Sequence, residues 1–174
     1  MCKFVKLNGL NPLAGAVYDL LKAQGRYLFD DFSVLKREFG MYRVIELIEK
    51  YKPYFWAVLT ENGDFMGFVY LYDIIHNGEK PYNACVTVCF KPEYWGGATR
   101  CALKKFQKHC FKRLGLKKIK AEIFGGNSLV RRILKDFNFK LEGILEFESV
   151  CSGKACNIEI WAIYSRELLA NQGF

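Results

Sequence analysis

The spacing of apolar positions changes several times along the chain, and each change predicts a new element. Apolar residues recur at helical intervals over roughly 12–25, 41–51, 98–114 and 128–137. Runs rich in β-branched and aromatic residues predict strands over 3–7, 55–60, 65–72, 84–90, 118–124, 140–150 and 156–164. This order predicts an α/β or α+β fold, with one domain over residues 1–174 built around a mixed sheet.

Turn-forming residues sharpen several of these boundaries. Asn62-Gly63 lies between two strand-like runs and is the strongest hairpin signal in the chain. Gly115 and Asn138 follow helical patterns and suit the left-handed conformation that ends many helices. The polar stretch 76–80 predicts a loop between two strands.

The composition indicates a packed globular protein with an excess of positive charge. Hydrophobic residues make up 51% of the 174 residues, so the chain can bury a core without disulfides or metals. The formal net charge of +8 favours acidic partners, such as phosphorylated cofactors, nucleic acid or acidic proteins. Solubility alone is the alternative explanation of this charge.

The seven cysteines are an odd number and include no C-x-x-C pair, and only two histidines accompany them. This pattern argues against a zinc site, and we expect no metal. We interpret the cysteines as small core residues in a reducing compartment. No signal peptide opens the sequence and no apolar run has membrane-spanning length, so we expect a cytoplasmic protein that binds no membrane. The oligomeric state stays open between monomer and homodimer.

The stretch 91–120 carries the clearest candidate chemistry. Gly96-Gly97 form a turn that leads directly into the third predicted helix. The first N–H groups of a helix have no acceptor within it, and the helix dipole adds partial positive charge, so this turn predicts an anion site. Residues 100–120 include nine Lys or Arg and no Asp or Glu, which favours steering of a phosphorylated ligand or a solvated helix face. A nucleic-acid surface is less favoured, because few aromatic residues are interleaved for base stacking.

Three motifs together resemble one family. They are the run PEYWGGA at 92–98, the segment from Asn127-Ser128 to Glu142-Gly143, and the strand 158–164 with the Arg166-Glu167 that follows it. Their order and spacing resemble the GNAT superfamily of acetyl-CoA-dependent N-acetyltransferases, in particular the branch that includes ribosomal-protein N-terminal acetyltransferases. The resemblance is best over about 55–167. It implies a GNAT-like domain with a mostly antiparallel sheet of about six to seven strands and about four helices.

The resemblance also implies where acetyl-CoA binds. In this family the glycine turn holds the CoA pyrophosphate through main-chain N–H groups, and the preceding strand lies beside pantetheine. Two registers of the turn stay open: one without a gap uses Glu93, Gly96 and Ala98, and one with a deleted residue uses Gly96 and Gly97. The cofactor-binding residues implied are Val88, Cys89, Phe90, Trp95, Gly96, Gly97, Ala98, Thr99, Arg100 and Asn127. Simple helix capping is the alternative role of Asn127.

The same resemblance implies a catalytic base, whereas the catalytic acid departs from the family pattern. Glu122 lies five residues before Asn127 and matches a base glutamate in some relatives, although an exposed carboxylate on a strand is the alternative. Leu134 stands where many members carry a tyrosine that protonates the CoA thiolate. Either the thiolate leaves unassisted or Tyr94 serves as the acid. Weaker candidates for the base are Glu93, Asp73 and His76.

The function implied is transfer of an acetyl group from acetyl-CoA to a primary amine, by direct attack in a ternary complex. The acceptor is a peptide N-terminus or a small amine, and the aromatic segment 27–32, with Asp30 and Asp31, is our hypothesis for part of its site. Two alternatives stay open. One is a catalytically silent acyl-CoA sensor or scaffold, which the missing tyrosine suggests, and the other is a basic nucleic-acid-binding module.

Overall fold

The computed structural model describes residues 2–25, 40–151 and 153–166. Within these ranges the chain forms four α-helices and seven strands. The helices are α1 (Ala14–Gln24), α2 (Met41–Tyr51), α3 (Gly97–His109) and α4 (Ser128–Asp136). The strands are β1 (Cys2–Lys6), β2 (Phe55–Thr60), β3 (Phe65–Asn77), β4 (Lys80–Phe90), β5 (Lys118–Phe124), β6 (Lys140–Cys151) and β7 (Lys154–Tyr164). A short 3₁₀ helix, Pro92–Tyr94, precedes α3, and a π-helical turn, Cys110–Leu114, follows it.

The strands form one mixed sheet, which confirms the predicted fold class. Their order is β1-β2-β3-β4-β5-β7-β6. The pairs β1–β2, β2–β3, β5–β7 and β6–β7 are antiparallel, whereas β4–β5 is parallel. The parallel ladder is short, because it joins only residues 83–85 to residues 118–120. None of the described helices is long and apolar enough to cross a membrane.

The predicted turns have different outcomes. Gly63 adopts φ +96° between β2 and β3, as the hairpin signal predicts. Gly115 and Asn138 end their helices at φ +80° and +62°, also as predicted. The loop prediction for 76–80 is wrong, because β3 continues to Asn77 and β4 begins at Lys80. Gly78 lies between them at φ +63°, a conformation that glycine adopts without steric cost and that allows this tight turn.

The chain divides into two compact units, of which the first is Met1–Tyr72 with Thr87–Lys105. Its core is built from the apolar faces of α1 and α2 together with β2 and β3. Val17, Leu21, Val44 and Ile48 supply the helical side of this core and are fully buried. The rings of Phe55 and Tyr70 stack at 5.2 Å between centroids, and Tyr51 stacks on Tyr70 at 4.7 Å. Burial of these side chains is the main source of stability in the unit.

The end of β4 lies unusually close to β3 in the first unit. A Cβ atom built on Gly67 would lie 2.1 Å from the Cys89 carbonyl oxygen and 2.8 Å from the Phe90 Cα. Both neighbours are backbone atoms, so neither can turn aside as a flexible side chain would. The Lys91 N–H donates to the Met66 carbonyl at 2.9 Å, which holds the two strands together at the same level. Glycine at 67 therefore sets the position of the last residues of β4.

The second unit is Asp73–Val86 with Phe106–Phe174. Ala121, Ile123, Leu134 and Trp161 form a small buried cluster between β5, α4 and β7. β7 pairs with β5 on one side, from Ile158 to Tyr164, and with β6 on the other. The pairing of β6 with β7 shifts between Leu145 and Ser149, where Phe147 adopts φ +55°.

We expect Gly67→Ala to destabilise the protein, because its Cβ would overlap the backbone of β4. Overpacking against a rigid neighbour costs about 1–3 kcal/mol, and more where backbone must move. The matched control is Gly15→Ala in α1, whose Cβ would meet nothing within 4 Å. We expect this control to keep or raise stability, because alanine is the better helix former. Urea unfolding of both variants tests the prediction, and equal midpoints for Gly67→Ala and the parent protein would contradict it.

Candidate functional site

The segment between β4 and α3 is held by two side-chain hydrogen bonds. The indole Nε1 of Trp95 donates to the Phe90 carbonyl at 2.9 Å, so the turn folds back onto the last residue of β4. The Thr99 hydroxyl donates to the Tyr94 carbonyl at 2.9 Å and ties the first turn of α3 to the 3₁₀ helix. Thr99 is buried at 7% exposure, whereas half of the Trp95 surface stays exposed. The segment is therefore fixed by contacts within the first unit.

Gly96 and Gly97 have different conformations and different reasons to be glycine. Gly96 adopts φ +97°, which disfavours any residue with a Cβ. Gly97 is the first residue of α3, and a Cβ there would meet nothing within 4 Å. Neither the backbone conformation nor packing against the described residues thus requires glycine at 97. Close approach of a ligand to the backbone would account for it.

The N-terminus of α3 presents backbone donors to solvent. The Arg100 N–H donates to the Gly96 carbonyl at 3.0 Å. Among the described hydrogen bonds, none has the N–H of Gly97, Ala98 or Thr99 as its donor. Gly97 and Ala98 are exposed, and the first turn contains no acidic residue. Three N–H groups at the positive end of a helix dipole can bind an anion such as a phosphate.

The basic run around this helix has some structural roles. In the first unit, the Lys105 ammonium donates to the Cys2 carbonyl at 2.6 Å. In the second unit, the Lys118 ammonium donates to Glu142 at 2.6 Å, and the Tyr164 hydroxyl donates to the same carboxylate. Arg100 and Lys104 are exposed. Lys105 and Lys118 therefore make contacts that the steering and solvation interpretations of the run do not require.

The last residues of β4 are enclosed by protein. Cys89 and Phe90 are 7% and 6% exposed, and Val88 is half-buried. Burial raises the pKa of the Cys89 thiol to about 12, so this thiol is protonated at neutral pH. A protonated buried thiol is a poor nucleophile, which argues against a covalent acyl-cysteine step at Cys89.

The side chains of Asp73, Cys85 and Glu122, from β3, β4 and β5 of the second unit, lie close together. The Cys85 thiol donates to the Glu122 carboxylate, with 3.7 Å from Sγ to Oε1. The Asp73 carboxylate lies in the same group, and the three potential ligand atoms lie within 4.8 Å of one another. Burial raises the pKa of the Cys85 thiol to about 11, while nearby Lys120 opposes and Glu122 adds to this shift. The Lys120 ammonium adds positive charge here, which disfavours a metal ion at the group.

Asp73 and Glu122 are exposed, whereas Cys85 is fully buried. Glu122 projects from β5 between buried Ala121 and Ile123, so it lies on the opposite face of the strand from the small apolar cluster. Asp73 reaches the group from a left-handed backbone conformation, φ +46°. From the sequence, Cys85 is interpreted as a core residue and Asp73 as a weak candidate for the base, because no local pattern indicates a contact across strands.

Asn127 caps α4, as its alternative role predicts. Its side-chain oxygen accepts from the Val130 N–H at 3.2 Å. The preceding turn is anchored by the Gly125 N–H, which donates to the Asn157 carbonyl of β7 at 2.7 Å. The capping bond occupies the amide oxygen and leaves the amide NH₂ as the donor that could contact a ligand.

A buried carboxylate missed by the sequence analysis links α4 to β7. Arg131 donates two hydrogen bonds to Glu159, one of them from Nε at 3.2 Å, and the Trp161 indole donates to the same carboxylate at 2.9 Å. Glu159 is only 6% exposed. Hydrogen bonds from Arg131, then that from Trp161, hold the pKa of Glu159 below its usual range despite burial. The partners are 28 residues apart, so no local pattern could have signalled them.

The remaining candidates lie in separate places. Leu134 is 8% exposed and belongs to the small apolar cluster, so it is a core residue and has no polar role. Tyr94 is half-buried in the 3₁₀ helix of the first unit. Glu93 is exposed, with 3.7 Å between its carboxylate and the Lys91 ammonium, and His76 is exposed near the end of β3. The aromatic segment 27–32 lies outside the described residues.

Comparison with known proteins gives a family and a fold. The family model described as "Acetyltransferase (GNAT) domain" matches residues 26–140. Spermidine N-acetyltransferase from Vibrio cholerae, in complex with CoA and spermine, shares 19% identity at a TM-score of 0.80, over 97% of this chain and 98% of that one. RimJ of Mycobacterium smegmatis, in complex with CoA-disulfide, shares 18% identity at a TM-score of 0.76, over 99% of this chain and 89% of that one. The putative acetyltransferase yncA from Salmonella typhimurium, with its cofactor acetyl-CoA, shares 14% identity at a TM-score of 0.73, over 94% of each chain. No curated protein matches the sequence significantly.

We expect Glu159→Gln to lower the free energy of unfolding at pH 7 by about 1–3 kcal/mol, because a buried charge pair loses one partner. The Glu159 pKa is lowered in the folded protein, so its contribution is present above about pH 4.3, the usual glutamate value. It is lost as the pH falls through the lower folded value. The difference in unfolding free energy between parent and variant, measured by urea unfolding, should therefore become smaller below pH 4. Glu148→Gln, at an exposed position of β6, is the control and should cost little at either pH. An equal difference in unfolding free energy at pH 7 and pH 3 would contradict a stabilising, ionised Glu159.

Proposed function

The chain belongs to the GNAT acetyltransferase family, and we propose that it transfers the acetyl group of acetyl-CoA to a primary amine by direct attack in a ternary complex. The observation that carries this proposal is the exposed Gly96-Gly97 turn at the N-terminus of α3, in a chain of this family. We propose that the whole chain acts as a single acetyltransferase domain in the cytoplasm. The four buried cysteines are consistent with a reducing compartment.

The residues present fit a CoA pyrophosphate at this turn. The N–H groups of Gly97, Ala98 and Thr99 would donate to phosphate oxygens, and the open Cβ direction at Gly97 leaves room for the close approach. Trp95 supports the turn through its bond to Phe90, and Arg100 adds exposed positive charge in the first turn. Backbone donors make the site independent of most side chains. This independence is compatible with the acidic side chain of Glu93 just before the turn.

The end of β4 is proposed to lie along the pantetheine arm. Backbone groups at Val88, Cys89 and Phe90 would bond the pantetheine amides, and one N–H would polarise the thioester carbonyl as an oxyanion-hole donor. The Phe90 carbonyl already accepts from Trp95 and the Cys89 carbonyl packs against Gly67, so the N–H groups and the Val88 carbonyl would provide these contacts. Rigid seating of β4 over Gly67 would keep these donors preorganised. In the second unit, Asn127 is proposed separately as a cofactor-binding residue, through the amide NH₂ that its capping bond leaves available.

Glu122 is the proposed general base. The attacking amine must be neutral, and an exposed carboxylate on β5 can take its proton directly or through water. The Cys85 thiol donates to this carboxylate from a buried position and would fix its orientation. Leu134 is buried in the small apolar cluster and cannot protonate the leaving thiolate. A thiol pKa near 8.5 allows the thiolate to leave unassisted, with Tyr94 as the alternative acid.

The acceptor is proposed only as a class, a primary amine of a peptide N-terminus or of a small molecule. A structural neighbour was solved with CoA and spermine, which supports inclusion of polyamines among the amines tested. A panel of polyamines, small amines and peptides with different N-termini, assayed for release of free CoA thiol, would identify the class. No thiol release with any member, in a protein that binds acetyl-CoA, would contradict the proposed reaction.

We expect Gly97→Ala to weaken acetyl-CoA binding without loss of stability. Its methyl group would meet no described residue within 4 Å but would occupy the space proposed for the pyrophosphate. A ligand at 100 times its Kd stabilises the folded protein by about 2.7 kcal/mol, so thermal unfolding with increasing acetyl-CoA measures the affinity. We expect the parent to be stabilised and the variant to need at least about tenfold more ligand, equivalent to 1.4 kcal/mol. Gly96→Ala should behave differently: because Gly96 has a φ of +97°, we expect this variant to be less stable than the parent even when no ligand is present. Unchanged affinity in Gly97→Ala would contradict the pyrophosphate assignment.

We expect Glu122→Gln to lower kcat by about 10²-fold or more, which is typical for loss of a general base. Glutamine can still accept the Cys85 hydrogen bond, and the side chain is exposed, so stability and acetyl-CoA affinity should not change. The matched control is Glu79→Gln, at an exposed position in the turn between β3 and β4. Thiol release at saturating acetyl-CoA and amine gives kcat for each variant. A kcat equal to that of the control would exclude Glu122 as the base.

A further inference from the structure

Two cysteine side chains meet across the hairpin of β6 and β7. The Cys156 thiol donates to the Cys151 sulfur, with 3.0 Å between the two Sγ atoms. A disulfide bond is about 2.05 Å long, so the two sulfurs lie about 1 Å from bonding distance. Cys151 pairs with Lys154 at the end of the hairpin, and Cys156 lies two residues further along β7. The strand pairing therefore holds the two side chains as diagonal neighbours.

The other cysteines differ from this pair in burial. Cys2, Cys85, Cys89 and Cys110 are buried, and burial raises the pKa of each of their thiols. Cys101 is exposed on α3. Cys151 and Cys156 are both half-buried, so a small reagent can reach them. The interpretation of all seven cysteines as core residues is therefore wrong for Cys101 and for this pair.

We propose that Cys151 and Cys156 form a reversible disulfide, and that the hairpin of β6 and β7 is a thiol–disulfide modification site. The reacting partner is a low-molecular-weight disulfide of the glutathione class. One Cys thiolate attacks a sulfur of this disulfide, which gives a mixed disulfide and releases one small thiol. The second Cys thiolate, held nearby, attacks the protein sulfur of the mixed disulfide and releases the second small thiol. Two protein thiols and one small disulfide thus become one protein disulfide and two small thiols.

The bond would close a loop of few residues within an existing strand pair. Asn157 follows Cys156, and its side-chain oxygen accepts from the Phe147 N–H at 2.9 Å while its carbonyl accepts from the Gly125 N–H at 2.7 Å. Oxidation would therefore fix a strand segment that contacts both the bulge of β6 and the turn before Asn127. Reduction would release this constraint without breaking the ladder itself.

The chain offers a direct test, because Lys154 lies between the two cysteines. Trypsin cleaves after Lys140, Lys154 and Arg166, so it separates residues 141–154 from residues 155–166 unless a disulfide links them. The full-length protein is treated with oxidised glutathione, its remaining thiols are alkylated, and it is digested and analysed by mass spectrometry. We expect the two peptides as one linked species, with the mass of their sum less two hydrogens. Dithiothreitol before alkylation should return two separate alkylated peptides.

Three variants make the assignment specific. Cys101→Ser, which removes the exposed thiol of α3, should keep the linked species in full. Cys151→Ser and Cys156→Ser should each abolish it and leave a stable glutathione adduct on the remaining cysteine. Persistent glutathione adducts in the parent protein, or a link between either cysteine and Cys101, would overturn the proposal. Separate, alkylated peptides from an oxidised parent protein would overturn it as well.

Discussion

The arrangement of the first unit depends on the close contact of two backbones. The Cys89 carbonyl of β4 lies where a side chain on Gly67 of β3 would begin. This contact sets the end of β4, and Phe90 then provides the carbonyl to which Trp95 is bonded. The Gly96-Gly97 turn and the N-terminus of α3 follow from that anchor. A candidate anion site made of backbone donors thus owes its position to a glycine about thirty residues earlier in the chain.

A buried carboxylate has the corresponding role in the second unit. Glu159 accepts from Arg131 of α4 and from Trp161 of its own strand. Burial of a charge is costly unless its hydrogen bonds are satisfied, and three donated bonds meet that requirement here. The pair fixes α4 on β7, and Asn127 is the cap that directly precedes Ser128, the first residue of α4. The position of Asn127 therefore depends on the Arg131–Glu159 pair, whereas its capping role depends on its bond from the Val130 N–H.

The two candidate centres differ in the kind of group that they offer. The turn at α3 offers main-chain N–H groups, which are present whatever the side chains are, provided that the residues stay small. The group around Glu122 offers side chains from three strands: an exposed carboxylate, a second carboxylate from Asp73 and a buried thiol from Cys85. Substitution affects the second kind of centre directly. This difference explains why a family pattern is easier to see in the glycine turn than in the acid and base.

The sequence by itself determined the elements, the turns at Gly63, Gly115 and Asn138, the cap at Asn127 and the glycine turn before α3. These features depend on local spacing and backbone preference, which a single sequence records. It did not determine the contact of Cys85 and Asp73 with Glu122, the bonds of Arg131 to Glu159 or the meeting of Cys151 with Cys156. Those contacts join residues on different elements, and only strand order, register and twist decide them. The polar stretch 76–80 was predicted wrongly for a related reason. Polar residues at the end of a hairpin and polar residues in a loop have the same composition, and only the pairing of β3 and β4 separates the two.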